Sequence, residues 1–230
     1  MSKTHTFKQK VKEYTSRYGE VPEDEEERIS ELYSRLKFGP NDVENFKKFH
    51  KALSKQDKQT YHFTLYLIPE PTPRPRTKFA SHVFYVSGAK DNNDLFTDIV
   101  GDVKSLPIIT TPTEYKLVSY LPTPNSMNRC EKMLAEVGDI PCTSTPDWDN
   151  LGKAYCDMIQ KNLLLNDSLI WKGLSEKYYS IKPRIELTIT YSLAYDCKYN
   201  RRKIESSKFY NDMDESKKLF CESLSTIVEL

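Results

Sequence analysis

Residues 145–153 read Thr-Pro-Asp-Trp-Asp-Asn-Leu-Gly-Lys, and they constrain the fold more than any other stretch of this 230-residue chain. They place Asp147 and Asp149 immediately before an apolar run whose members recur at helical spacing. The run predicts an amphipathic helix over residues 149–162, with Pro146 tolerated in its first turn and either aspartate as its cap. The predicted apolar face consists of Leu151, Ala154, Tyr155, Met158 and Ile159.

Charged side chains on this helix suggest a chemical role. Asp149, Lys153 and Asp157 step by four and share one face, and a second acidic position follows at Asn166-Asp167. Hard divalent cations prefer carboxylate oxygens, so this combination fits metal-assisted phosphoryl transfer. A capped helix with a surface ion pair produces the same pattern, and on spacing alone it is the commoner explanation.

Several motifs together resemble the RusA family of Holliday junction resolvases. Pro146-Asp-x-Asp-Asn-Leu-x-Lys153 is followed by Asp157, by Asn166-Asp167-Ser168 and by Glu176-Lys177. Upstream, the Pro/Arg-rich segment 69–76 is similar to a loop that those proteins carry after their first strand. The resemblance covers roughly residues 61–195. One departure is that the family often has two aspartates where this chain has Asn166-Asp167.

The resemblance implies a role for each site residue. Asp147, Asp149 and Asp167 are expected to bind Mg²⁺, which polarises the scissile phosphate and activates water. Lys153 is expected to neutralise charge on the phosphate or the leaving oxygen. DNA contacts are expected from the basic residues Arg74, Arg76, Lys78 and Lys177. The expected partner is branched DNA in the form of a four-way junction, and two symmetric nicks imply a homodimer.

Some alternatives stay open at this stage. A nucleotidyl- or glycosyltransferase also uses Asp-x-Asp to hold a metal, although this chain has no glycine-rich phosphate loop. A junction-binding protein that has lost cleavage is the other alternative, and Asn166 is its only indication. Asp157 is expected to support the helix or to pair with Lys153. Trp148 is expected either to stack on a base or to pack inward.

The predicted fold class is α+β, with a small mixed sheet of about four strands inside a RusA-like domain at residues 61–195. Strands are predicted at 61–68, 84–86, 115–121, 169–179 and 184–195, the last two antiparallel, and helices at 92–104 and 127–137. Residues 1–60 are predicted to form a helical hairpin, with Gly39-Pro40 ending one helix and Asn41 capping the next. Residues 196–230 are predicted to be a polar tail with a terminal helix at 216–228.

Composition limits the environment and the mode of binding. A net charge of +1 gives no overall field that would hold the chain to DNA, so any basic surface must be local. Five cysteines without paired spacing predict reduced thiols in a cytoplasmic protein, with Cys156 buried as a structural residue. No apolar run approaches the ~20 residues of a membrane span, and the first residues show no signal-peptide core.

Overall fold

The structure is a computed structural model that divides the chain into two compact units, Met1–Lys51 and Ala52–Leu230. It describes residues 6–19, 22–37, 39–55, 57–71, 76–77, 83–84, 106, 108–160, 162–192, 206 and 211. The helices predicted at 92–104 and 216–228 lie outside the described residues. In the part of the chain that is described, no helix is both long and apolar enough to cross a membrane.

The N-terminal segment contains three helices: α1 (Phe7–Tyr18), α2 (Glu25–Leu36) and α3 (Pro40–Ser54). The predicted hairpin accounts for α2 and α3 but omits α1, which begins with a capping box in which the Thr6 N–H donates to Gln9 Oε1 (2.8 Å). The prediction that Asn41 caps α3 is wrong. Pro40 already occupies the first helical position, and Asp42 accepts the Gly39 N–H (2.8 Å), so Asn41 lies inside the helix.

The second unit is built on a four-stranded mixed sheet. Its strands are β1 (Lys58–Leu65), β4 (Thr113–Pro122), β5 (Ile170–Ser180) and β6 (Arg184–Ser192). Their order is β1-β6-β4-β5; β6 is antiparallel to β1 and β4, whereas β5 is parallel to β4. A separate two-stranded sheet pairs β2 (Arg76–Thr77) with β3 (Val83–Phe84). The predicted α+β class with about four strands in a mixed sheet is confirmed.

The last two strands run antiparallel to each other as predicted, but they are not neighbours. β4 lies between β5 and β6 and forms hydrogen bonds to both. The short connection near Pro183 indicates a hairpin on local grounds, because consecutive strands usually pair. Here the strand inserted between them is supplied from almost fifty residues earlier in the chain. β1 also lies three residues earlier than predicted, because Lys58 to Thr60 already pair with β6.

Two helices connect β4 to β5: α4 (Arg129–Glu136) and α5 (Trp148–Ile159). All five residues predicted for the apolar face of α5 are buried. They pack on the sheet in one core that includes Tyr115, Leu117 and Leu187. Burial of each large apolar side chain contributes roughly 1.5–3 kcal/mol, so α5 is firmly held against the sheet.

α5 begins earlier and ends earlier than predicted. Pro146 lies before the helix rather than in its first turn, and Asp147 occupies the N-cap position. The helix ends at Ile159 because Gln160 takes an extended conformation (φ −62°, ψ 136°). A smaller core of Leu121, Ala135, Cys142 and Tyr179 packs α4 and the following loop on the sheet. The two cores therefore fix both sides of the segment that leads into α5.

Candidate active site

Side chains of β5 hold the segment that leads into α5. Lys177 Nζ donates to the carbonyl oxygens of Ser144 (2.7 Å) and Pro146 (2.9 Å). The Tyr179 hydroxyl shares a hydrogen bond of 2.6 Å with the Ser144 hydroxyl, and Ser175 Oγ donates to the Trp148 carbonyl (3.3 Å). Residues 175, 177 and 179 alternate along the strand and so project from one face of the sheet.

The N-terminus of α5 presents the acidic pair to solvent. Asp147 has the extended backbone of an N-cap residue, but its carboxylate accepts no helix N–H among the described residues. Instead Asn150 Nδ2 donates to Asp147 Oδ2 (3.3 Å). Asp149 is exposed in the first turn, where the helix dipole favours negative charge. Asp147 therefore does not cap the helix with its side chain.

Trp148, between the two aspartates, is 63% exposed. Of the two expectations for this residue, inward packing is therefore wrong. The indole remains available to a ligand at the same helix terminus as the acidic pair. Because the backbone of Trp148 is bonded to β5 through its carbonyl, the exposed ring extends from a fixed point.

Further along the same helix face, Lys153 and Asp157 interact electrostatically. Burial raises the pKa of the Asp157 carboxyl, the Lys153 ammonium opposes that rise, and the charge of Asp167 adds to it. The expected role of Asp157, as helix support or as an ion-pair partner of Lys153, stays a prediction.

The second acidic position lies in a short 3-10 helix, Asp167–Leu169, immediately before β5. Asn166 Oδ1 accepts the Ser168 N–H (2.8 Å) and so caps this turn. Asn166, the residue at which the chain departs from the family pattern, thus has a local structural task that an aspartate oxygen performs equally well. Both Asn166 and Asp167 are exposed.

The structure does not gather the three predicted metal ligands into one cluster. Within the described residues, no group of three or more His, Cys, Asp or Glu side chains is placed to hold a metal ion. Asp149 and Asp157 are eight residues apart, or about 12 Å along the helix axis. Asp147 and Asp149 therefore lie at the N-terminus of α5, whereas Asp167 follows the helix in the chain, in the turn before β5.

Cys156 lies on the same helix, one residue before Asp157. Burial, followed by the charges of Asp167 and Asp157, raises the pKa of its thiol to about 11. The side chain is half-buried rather than buried as predicted. A thiol with this pKa stays protonated at neutral pH.

The Pro/Arg-rich segment starts against α5. The Glu70 N–H donates to the Tyr155 hydroxyl (3.2 Å), and Pro69 is buried. Burial raises the pKa of Tyr155 to about 12, so the hydroxyl keeps its proton at neutral pH. Arg76 lies in β2, whereas Arg74 and Lys78 lie outside the described residues. The described start of this segment therefore contacts the helix that carries the acidic residues.

Sequence reasoning missed the anchors of the acidic segment. Ser144, Ser175 and Tyr179 were not among the predicted site residues, and Lys177 was expected only as a DNA contact. A signal was present, because the polar residues Ser175 and Lys177 alternate on one face of a predicted strand. Their partners on the loop are about thirty residues away, however, and spacing does not reveal such distant contacts.

Comparison with known proteins agrees with this architecture. The family model for the endodeoxyribonuclease RusA matches residues 67–190, just over half of the chain. An uncharacterized protein, YqaN of Bacillus subtilis (strain 168), is 28% identical over 132 residues, which cover 55% of this chain and 93% of that protein. The region matched by the family model contains the acidic pair, Lys153, Asp167 and strands β4 and β5.

An α+β domain with an acidic pair at a fixed helix terminus has the parts of a phosphoryl-transfer enzyme. The chain belongs to the RusA endodeoxyribonuclease family. Membership indicates a nuclease that acts on branched DNA, at the level of the family, and such nucleases typically depend on a divalent metal.

Proposed function

We propose that this protein resolves four-way DNA junctions by paired, symmetric, Mg²⁺-dependent nicks. The observation that carries the proposal is the exposed pair Asp147 and Asp149 at the N-terminus of α5, in a chain of the RusA family. The helix beneath the pair is packed on the sheet, and β5 is bonded to the segment in front of it. Such rigidity supports catalysis, because phosphoryl transfer depends on positioning and electrostatic stabilisation.

The donor chemistry of the acidic residues fits a hard divalent cation. Mg²⁺ usually keeps several waters and binds through one or two carboxylates together with substrate phosphates. Asp147 and Asp149 would hold the ion, with Asp167 as the third proposed ligand. When bound there, the metal supplies a polarised phosphate and an activated water.

The remaining residues act on the DNA. Lys153 lies one turn along α5 from Asp149 and is exposed, where its ammonium can neutralise charge on the leaving oxygen. The basic residues that follow the segment bonded to Tyr155 would bind DNA phosphates near the cut; they are Arg74, Arg76 and Lys78. Arginine forks match phosphate oxygens bidentately, so this loop would read branch shape rather than base sequence.

The active form is proposed to be a homodimer. A four-way junction has two-fold symmetry, and each subunit with one site would nick one of two equivalent strands. Residues 61–195 form the proposed nuclease domain, extended by residues 1–60 and 196–230. The relative from Bacillus subtilis supports this division, because the matched region accounts for nearly all of its length.

The test is cleavage of a synthetic four-way junction, with a linear duplex of the same sequence as control. The proposal predicts symmetric nicks near the branch in Mg²⁺ and none in a chelator. Tight junction binding without nicks would favour the non-cleaving alternative. Absence of both binding and nicking, with turnover of a nucleotide-activated donor, would favour a transferase.

A further inference from the structure

Lys177 makes contacts that an ordinary DNA-binding lysine does not. Its ammonium has three N–H donors, and two of them are used by the carbonyl oxygens of Ser144 and Pro146. The side chain is half-buried on β5, directly opposite Ser119 of β4, which is fully buried. A lysine that binds phosphate keeps its N–H donors exposed to solvent. The Lys177 ammonium instead donates two of its three N–H groups to backbone carbonyl oxygens.

The two carbonyls flank the start of the acidic motif. Pro146 is joined directly to Asp147, and Ser144 lies three residues before it. Because one ammonium donates to both carbonyl oxygens, it fixes the direction in which the chain enters α5. Tyr179 supports Ser144 from the same face, and Ser175 bonds the Trp148 carbonyl on the other side of Asp147.

We infer that Lys177 is a positioning residue that fixes the backbone carrying Asp147 and Asp149, and is not a DNA contact. The inference rests on the proposed function for its effect on cleavage, but its structural part does not depend on any activity. Misplacement of a catalytic group by about 1 Å can cost roughly a hundredfold in rate, so loss of this anchor should lower cleavage.

Tryptophan fluorescence tests the structural part. The chain has two tryptophans, and Trp171→Phe leaves Trp148, whose ring lies in the acidic motif, as the sole tryptophan for selective excitation. In this background Lys177→Met keeps the aliphatic stem but removes the donors. We expect lower Trp148 anisotropy than in the parent, measured without DNA or metal. Lys172→Met on the same strand is the matched control, because Lys172 instead pairs with Glu114, and it should leave the anisotropy unchanged.

Junction binding without metal separates the two roles of Lys177. Loss of a phosphate contact lowers the slope of log affinity against log salt by about one unit. A positioning residue should leave that slope unchanged while the cleavage rate falls at least tenfold. Lys177→Arg, which retains charge and donors, should restore most of the anisotropy.

The outcomes are distinct. Lower anisotropy in Lys177→Met with an unchanged salt slope supports the inference, even if the parent protein cuts no junction at all. Unchanged anisotropy, or a slope reduced by about one unit, overturns it. If Lys177→Met does not fold, Tyr179→Phe provides a second variant. It removes only the hydrogen bond between the Tyr179 and Ser144 hydroxyls and must still lower the Trp148 anisotropy. Failure of both the Lys177→Arg rescue and the Tyr179→Phe effect would also overturn the inference.

Discussion

Replacement of Lys153 distinguishes a catalytic role of the charged face of α5 from a purely structural role as a surface ion pair. The side chain is exposed, on the face of the helix opposite to the buried residues Leu151 and Ala154. Alanine is the best helix former, and an exposed helical ion pair contributes only about 0.3–0.5 kcal/mol. Lys153→Ala should therefore change the free energy of unfolding by no more than about 0.5 kcal/mol.

The expected effect on cleavage is much larger. Removal of one preorganised electrostatic donor costs roughly 10²–10³ in rate, or about 2.7–4 kcal/mol of transition-state stabilisation. Lys153→Arg should not fully restore the rate, because a planar guanidinium does not replace a compact ammonium at a fixed position. Raising the Mg²⁺ concentration should not restore it either, because the proposed metal ligands are unchanged.

The assay is single-turnover nicking of a fixed junction at saturating protein, with thermal melting to establish folding. Lys182→Ala is the matched control, since Lys182 is an exposed lysine in the turn after β5. Lys153→Ala should also raise the pKa of Asp157 further, because the ammonium opposes the effect of burial on that carboxyl. A folded Lys153→Ala protein that cuts at the normal rate would remove the lysine from the mechanism.

Three further predictions concern the DNA contact, the acidic face and the capped turn. Replacing Arg74 and Arg76 together by alanine should lower the salt slope of junction binding by about two units, and an unchanged slope would show that this loop does not bind phosphate. The raised pKa of Asp157 means that its ionised form penalises the folded state once the pH exceeds the unfolded value of 3.8. Asp157→Asn should therefore be at least as stable as the wild type near pH 7 and equal to it near pH 3 in urea denaturation, and a loss of stability near pH 7 alone would contradict this. Asn166→Asp keeps the oxygen that accepts the Ser168 N–H, so it should fold normally and cleave at lower Mg²⁺, and an unchanged Mg²⁺ requirement would place residue 166 outside the metal site.

Local periodicity predicted the helix that carries the site. The five apolar residues of α5 recur every three or four positions, and all five are buried, because one helix face meets one sheet. The predicted bounds were less accurate. The helix starts at Trp148 and ends at Ile159, because the extended backbone conformations of Asp147 and Gln160 set its two ends. α1 was missed although Val11, Tyr14 and Tyr18 have helical spacing, and all three are exposed in the structure.

Contacts between distant parts of the chain could not be predicted. The insertion of β4 between β5 and β6 depends on pairing across the whole sheet, whereas the turn near Pro183 suggests a local hairpin. In the same way, the bonds from Lys177 to Ser144 and Pro146 span more than thirty residues. The sequence motif identified Lys177 as important, but only the fold indicates which groups its ammonium contacts.

The most direct test of the central claim is the cleavage of a four-way junction by Asp149→Asn in Mg²⁺. The substitution removes a charge from the exposed first turn of α5 but keeps the size of the side chain. Asp139→Asn is the matched control, because Asp139 is an exposed aspartate in the loop after α4. We expect the junction affinity of Asp149→Asn to lie within a few fold of the wild type, while the variant makes no nicks. Asp139→Asn is expected to cut the junction at the normal rate. Full cleavage by folded Asp149→Asn would contradict the account, because the acidic pair at the helix terminus would then not be the nuclease centre.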